Sequence, residues 1–258
     1  MLVKLVEIWL PYGRSEIPVR VPEEKLVDIL KLESASALGE PVAEAEKLLQ
    51  TNEKFQEAAT KASRATIVLG SCGSQQLATD LAQAVLKHLP QPSSTTILCT
   101  RDAIEPEPGV IGDVKVLRHT SKSASTPFTD FHGAFVPSID SEFVNSDLRI
   151  LIGELRPHHF LEYSGLCDLV FPYLAADASI YTHLAERPGM NLGDLHKERV
   201  EIAKSFHDLF ALGLTLNAEK RPSSMVFGGI DDSLATLSAS VNELYSRPIT
   251  KRADIVVM

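Results

Sequence analysis

The sequence predicts an α/β protein: a mostly parallel sheet with helices on both faces, Rossmann-like in arrangement. Three observations carry that prediction. Residues 65–100 read as strand, helix, strand: the β-branched run ATIVLG, the helically spaced apolar residues of SQQLATDLAQAVLKHL, and TTILCT. A strand that returns to its sheet through a helix implies parallel pairing and a right-handed crossover. Further strand-like runs alternate with helical patterns down the chain, the order expected of a layered α/β sheet. Finally, 258 residues at 44% hydrophobic can bury a substantial core without disulfides or structural metal.

The elements follow in order. Residues 3–10 and 17–21 predict a pair of strands joined at Tyr12-Gly13, and helical spacing then covers 23–32, 40–49 and 53–62. After the strand-helix-strand unit, strands are expected at 114–117, around 133–136, at 148–152 and at 253–258. Helices are expected at 175–185, at 194–212 with Asp194 as N-cap, and at 231–245. Trp9 and the ten Phe residues are expected in the core, since no basic residues interleave with them as a base-stacking surface would require.

Charge and cysteine usage exclude several classes. A net charge of −9 and a pI near 5.4, with no Lys/Arg cluster, disfavour nucleic acid and anionic membrane as partners. Cys72, Cys99 and Cys167 are odd in number and far apart, which predicts reduced thiols and a cytoplasmic location. The opening MLVKLVEIWLPYG has Lys and Glu within its apolar run, unlike a signal peptide, and nothing approaches the ~20 apolar residues of a spanning helix.

In open α/β sheets ligands sit beyond the carboxyl ends of the strands. Three such exits draw attention. In VLGSCGSQQ, Ser71, Gly73 and Ser74 stand between a strand and a helix, where free N–H groups suit an anion; a turn that merely closes the connection is the plainer reading. The exit LCTRDA offers Arg101 and Asp102, read as a surface pair. The third, GELRPHHF, carries His158 and His159, which in an extended segment point to opposite sides, so one faces the site. An imidazole there is an acid/base candidate, and a structural histidine is the equal alternative. His88 and His119 read as surface or strand-edge residues and His132 as a loop residue. His196 and His207 fall on one expected helix, eleven apart, which is not the spacing of a helical metal site.

The segment SDLRILIGELRPHHFLEYSGLCDLVFPYLAADASIYTH (146–183) resembles the lactate racemase family, whose members use a nickel-pincer nucleotide. NLGDLHKERVEIAKSF, TLNAEKRPSSMVFGG and ADIVVM resemble the family's following helix, hairpin and strand, and LPYG its opening, so the resemblance runs over nearly the whole chain. It implies a single α/β domain over 1–258 that corresponds to the family's N-terminal domain, without the smaller C-terminal domain. It also implies racemisation or epimerisation of a small 2-hydroxy acid. A hydride is taken from C2 and returned through the nickel-pincer nucleotide, with a histidine as acid/base. By resemblance, His158, with His159 beside it, is the catalytic imidazole and His183 a nickel ligand. Ser71, Gly73, Ser74, Ser164 and Gly165 hold the cofactor.

The departures are specific. Asp168 stands where the family has the lysine tied covalently to the pincer ring, LCTRDA replaces the exit that carries a second catalytic histidine, and GSCGSQQL lacks the family's Arg-Pro element. The alternative reading is therefore a divergent member without racemase activity that binds a small anion or nucleotide in the same cleft. Asp168 near His158 is expected to raise that histidine's pKa.

Overall fold

The computed structural model describes residues 4–12, 15–30, 35–90, 95–100, 109–133, 135–159, 161–185, 191–248 and 251–255. Two compact units are present, one made of Met1–Glu33 with Ser246–Met258, the other of Ser34–Tyr245. In the first, β1 (Leu5–Tyr12) and β2 (Ser15–Pro22) pair antiparallel from Leu5↔Pro22 to Tyr12↔Ser15, as the sequence predicts. The helix expected over 23–32 is a single 3-10 turn at Glu23–Lys25: residues 23–30 are exposed or half-buried, so its apolar stripe gains no burial to offset the cost of ordering. Trp9, expected in the core, is 55% exposed. Residues 253–255 form no strand, and 256–258 lie outside the described residues.

The second unit begins with α1 (Pro41–Thr51) and α2 (Glu53–Lys61), the latter capped by Asn52, whose side chain accepts from the Phe55 N–H at 3.0 Å. Next come β3 (Ala65–Leu69), α3 (Gln75–Leu86), β4 (Thr95–Cys99), β5 (Gly109–Ile111) and β6 (Val114–Arg118). A small antiparallel pair, β7 (Ser125–Pro127) and β8 (Ser138–Asp140), flanks the region around 133–136 where a strand was expected and none forms among the described residues. There Phe131 turns into the core instead of alternating along a strand. The chain continues through α4 (Ser141–Val144), β9 (Leu148–His158), β10 (Glu162–Gly165), α5 (Cys167–Val170), α6 (Asp177–Ala185) and α7 (Leu192–Lys204). It closes with β11 (Leu209–Leu216), β12 (Pro222–Gly229) and α8 (Ile230–Tyr245).

The main sheet has the order β12-β11-β9-β3-β4-β6-β5, with β10 paired to β9 off this path. The central ladder from β6 to β11 is parallel, and β5, β10 and β12 attach antiparallel. Strands buried on both faces are apolar but for one threonine each, as in ATIVL and LFALGLTL. Alternate residues feed two cores: Ile67 and Ile150 pack with α1, α2 and α3, whereas Val68 and Leu151 pack with α5, α7 and α8. Helices thus cover both faces, and the α/β prediction holds.

One boundary differs with consequence. The helix expected over 194–212 ends at Lys204, and Asp208, with φ 47°, turns the chain into β11. An apolar run of eight cannot be assigned to helix or strand by periodicity alone, and here the parallel slot beside β9 decided it. Nor is Asp194 the cap; Asn191 is, its side chain accepting from the Asp194 N–H at 2.9 Å.

The topology positions the site. From β3 the chain crosses by α3 to β4, and from β9 it crosses by α5–α7 to β11 on the other side. Neighbouring strands β3 and β9 therefore send their connections opposite ways, and the crevice beyond their carboxyl ends is the switch point where such sheets bind ligands.

Candidate functional site

At the switch point, the turn after β3 meets β9 backbone to backbone. Gly70 N–H donates to the Ile152 carbonyl and Glu154 N–H to the Ser71 carbonyl, both at 2.8 Å. The strand expected to stop at 152 instead runs to His158, and its alternation places Glu154, Arg156 and His158 on one face. Ser71 therefore neighbours Glu154, while His158 lies four residues further along, ~13 Å at the usual strand rise. Ser74 caps α3, its Oγ accepting from the Leu77 N–H at 3.2 Å. Gly73 has φ 86°, and a Cβ there would collide with the Lys220 carbonyl, so no other residue fits this turn without strain.

His158 and His159 depart from expectation. Their rings stack at 4.8 Å and 13°, so the chain turns at the end of β9 and the two imidazoles share a side. Burial and the adjacent His159 hold His158 below its ordinary pKa; Asp168 pulls upward but is opposed by Arg199 and Arg156. The expected rise is thus reversed: His158 favours the neutral form, able to accept a proton or hydrogen bond near neutrality.

Asp168 is already engaged elsewhere. It is buried at the start of α5, where Arg199 Nη1 of α7 donates to Oδ1 at 2.6 Å. Ser164 Oγ and Gly165 N–H both donate to Oδ2, at 2.8 and 3.1 Å. The hairpin β9–β10 is thereby locked onto α5 and α7. Gly165 has φ 117° and lies against the Glu154 carbonyl, and Leu166, buried with φ 35°, is held in a conformation that L residues rarely adopt. Arg199 Nη2 reaches only 3.4 Å from His196 Nδ1, and its Nε has no acceptor among the described residues.

His183 is buried in α6, its Nδ1 2.8 Å from Glu198 Oε2 and its ring against Phe135 and Phe171. His119, read as a surface residue, is buried: Nδ1 lies 2.7 Å from Asp140 Oδ2 and Nε2 3.3 Å from the Ala175 carbonyl, an arrangement that ties three segments together. His88 is half-buried, its ring 3.2 Å from Gln56, and His132 lies outside any helix or strand, as expected of a loop residue, and is exposed. His207 falls beyond α7, so it shares no helix with His196. Arg101 and Asp102 lie outside the described residues. The cysteines are separately buried, and burial pushes the Cys72 and Cys167 thiols up to about 12. No helix among the described residues is long and apolar enough to cross a membrane.

The residues do not fit a covalently held nickel-pincer nucleotide. Asp168, where the resemblance sets the family's lysine, is a carboxylate whose oxygens are already engaged by Arg199, Ser164 and Gly165. Among the described residues no three His, Cys, Asp or Glu side chains gather as a metal site. Sequence reasoning missed Glu154 and Arg199. Glu154 alternates with Arg156 and His158, a signal hidden once the strand was ended at 152; Arg199 has no local signal, because its partner lies 31 residues away.

No family model and no curated protein matches the chain. Among solved structures it is similar to the lactate racemase apoprotein from Thermoanaerobacterium thermosaccharolyticum, with a TM-score of 0.74 and 16% identity over 93% of this chain and 63% of that one. It is also similar to a Thermotoga maritima protein solved in a structural genomics programme, with a TM-score of 0.54 and 13% identity over 83% of this chain and 61% of that one. The chain spans less than two thirds of either neighbour's length. At such identities the likeness is one of fold, and the chain has a lactate-racemase-like α/β fold.

Proposed function

We propose that this chain uses its lactate-racemase-like scaffold to bind a small anion, a 2-hydroxy acid or a nucleotide, beyond the carboxyl ends of β3 and β9, without a covalently tied cofactor. One observation carries the reading: the tether position is a buried carboxylate committed to Arg199 and to the Ser164-Gly165 turn. What supports an anion is the exposed Arg156, two residues along β9 from the Glu154 contact with the Ser71 carbonyl, together with the small-residue turn at Ser71, Gly73 and Ser74, where the first turn of α3 presents its N–H groups. His158, held toward neutrality, serves as a hydrogen-bond or proton acceptor at the far end of the same strand face. No reaction step is assigned to a nickel-pincer nucleotide.

The finer expectation, 2-hydroxy acid racemisation or epimerisation, has one observation in its favour. His183 Nδ1 faces Glu198, the carboxylate–imidazole arrangement that orients metal-bound histidines. Two measurements separate the readings. Protein produced together with the enzymes that make the nickel-pincer nucleotide should keep its unmodified polypeptide mass and carry no stoichiometric nickel. It should bind lactate or AMP by calorimetry, with affinity falling about tenfold or more in Arg156→Ala, the scale of a lost charge-assisted hydrogen bond. A nickel-bearing adduct that interconverts lactate enantiomers would restore the racemase reading, and absence of binding to either probe would sink the anion reading.

A further inference from the structure

We infer that Glu154 selects the ligand: its carboxylate accepts a hydroxyl of a small hydroxylated anion whose charged end rests on Arg156. The inference deepens the anion-binding reading and rests on it. Glu154 stands at the switch point itself, pinned by its N–H to the Ser71 carbonyl at 2.8 Å. The approach continues the parallel β3–β9 ladder past Leu69↔Ile152, and the glycines at 70 and 153 leave room there for the Leu169 side chain, which a Cβ on Gly70 would meet at 2.5 Å and one on Gly153 at 3.2 Å. Backbone contact of this kind brings Glu154, the first inward-alternating β9 side chain past the end of β3, to the mouth of the β3 turn.

That side chain is only 13% exposed, yet its nearest charged partner is Arg156 Nη1 at 3.7 Å, beyond hydrogen-bond range. Among the described residues none donates a hydrogen bond to it. Its charge nonetheless acts inward, on the Cys72 thiol and the Tyr245 hydroxyl. A carboxylate has acceptor sites for about four donors, and those of Glu154, without a donor among the described residues, face the cleft. A ligand hydroxyl fills that capacity.

Arg156, at 53% exposed, presents a guanidinium fork suited to a carboxylate or phosphate. With acceptor and cation 3.7 Å apart, the pair matches a molecule carrying a hydroxyl next to an anionic group. A 2-hydroxy acid carries the two groups on adjacent carbons, and a ribose 5-phosphate carries the same two groups at longer reach. A keto acid or a dideoxy nucleotide offers Glu154 an acceptor or nothing, and the carboxylate disfavours it. The hydroxyl acceptor assigned here is Glu154 rather than His158, which lies two positions beyond Arg156 on the strand face.

Calorimetric titration of the full chain with two matched pairs, lactate against pyruvate and AMP against 2′,3′-dideoxy-AMP, tests this. In one pair the hydroxylated member should bind about tenfold or more tightly, the scale of a hydrogen bond to a charged group. The responding pair identifies the source. Glu154→Ala should erase the ratio while leaving the unfolding transition in place. Glu154→Gln, whose amide can donate to a keto oxygen, should narrow or invert the lactate–pyruvate preference, and serves as the test should the alanine variant not fold. Equal binding of both members to the native chain, or a ratio unchanged in the variants, overturns the assignment of Glu154. Failure of all four probes to bind overturns the anion-binding reading beneath it.

Discussion

Arg149 and Arg199 are both buried, and the two use their guanidinium groups differently. At the start of β9, Arg149 donates Nε to the Phe143 carbonyl at 2.8 Å, Nη1 to that of His207 at 3.0 Å and Nη2 to that of Val144 at 2.7 Å. Its plane lies 5.0 Å from the Phe206 ring centre and 5.7 Å from that of Phe143. The acceptors include the last carbonyls of α4, which a helix end leaves unpaired, so cation and helix terminus satisfy one another. Burial lowers the pKa of Arg149, with Asp147 first among the carboxylates that oppose the shift. Arg199, beyond the other end of the sheet, has one carboxylate, one long contact to His196, and a buried Nε without an acceptor among the described residues. Arg149 is a finished clamp built on backbone. Arg199 answers a single side chain, Asp168, at a position where the resemblance expects a lysine, so its place depends on that partner and not on the fold at large.

The comparison can be broken most directly at Asp168. Asp168→Leu leaves a buried guanidinium without its counter-charge and should cost about 3–5 kcal/mol in urea unfolding. The double variant Asp168→Leu/Arg199→Met should recover most of that loss, because two well-packed apolar residues replace a buried ion pair at little cost. A double variant as unstable as the single one would mean that Arg199 is as integral to the fold as Arg149. Arg149→Met should cost about 2–3 kcal/mol, since the carbonyls it leaves are only partly reached by water. No second side-chain substitution should rescue it, because its acceptors are main-chain carbonyls.

The smallest effect sharpens the electrostatics of the Arg199 end. By NMR the His158 ring should titrate below the reference value of 6.5. His159→Gln should raise the midpoint by removing a like charge, and Asp168→Leu should lower it by removing the attractive one. A folded-state pKa depressed in this way favours the neutral ring. Its contribution to stability is present above the unfolded value near 6.5 and is lost as pH falls through the folded value. A midpoint that rises in Asp168→Leu would show that the carboxylate does not act on His158.

The sequence by itself determined the layered α/β class and the strand-helix-strand unit at 65–100. These rest on local patterns: continuous apolar runs in strands buried on both faces, helical spacing, and small residues at the turn before α3. The antiparallel β11–β12 pair also answers to the hairpin that the resemblance implies in TLNAEKRPSSMVFGG, although helical spacing over 194–212 takes in the first half of β11. Where local pattern was ambiguous, the tertiary structure decided. LFALGLTL is a strand because a parallel position beside β9 accepts it, and β9 passes Gly153 because backbone from the β3 turn and then β10 continue its pairing. Side-chain partnerships across long separations were beyond the sequence for the same reason. Asp168 is a lock only because α7 brings Arg199 to it, His119 is buried only because Asp140 and Ala175 close over it, and Glu154 meets the Ser71 turn only because β9 runs on beside the end of β3. Distance along the chain conceals such pairs, since an ion pair or a close backbone approach leaves no periodic trace in the residues on either side of it.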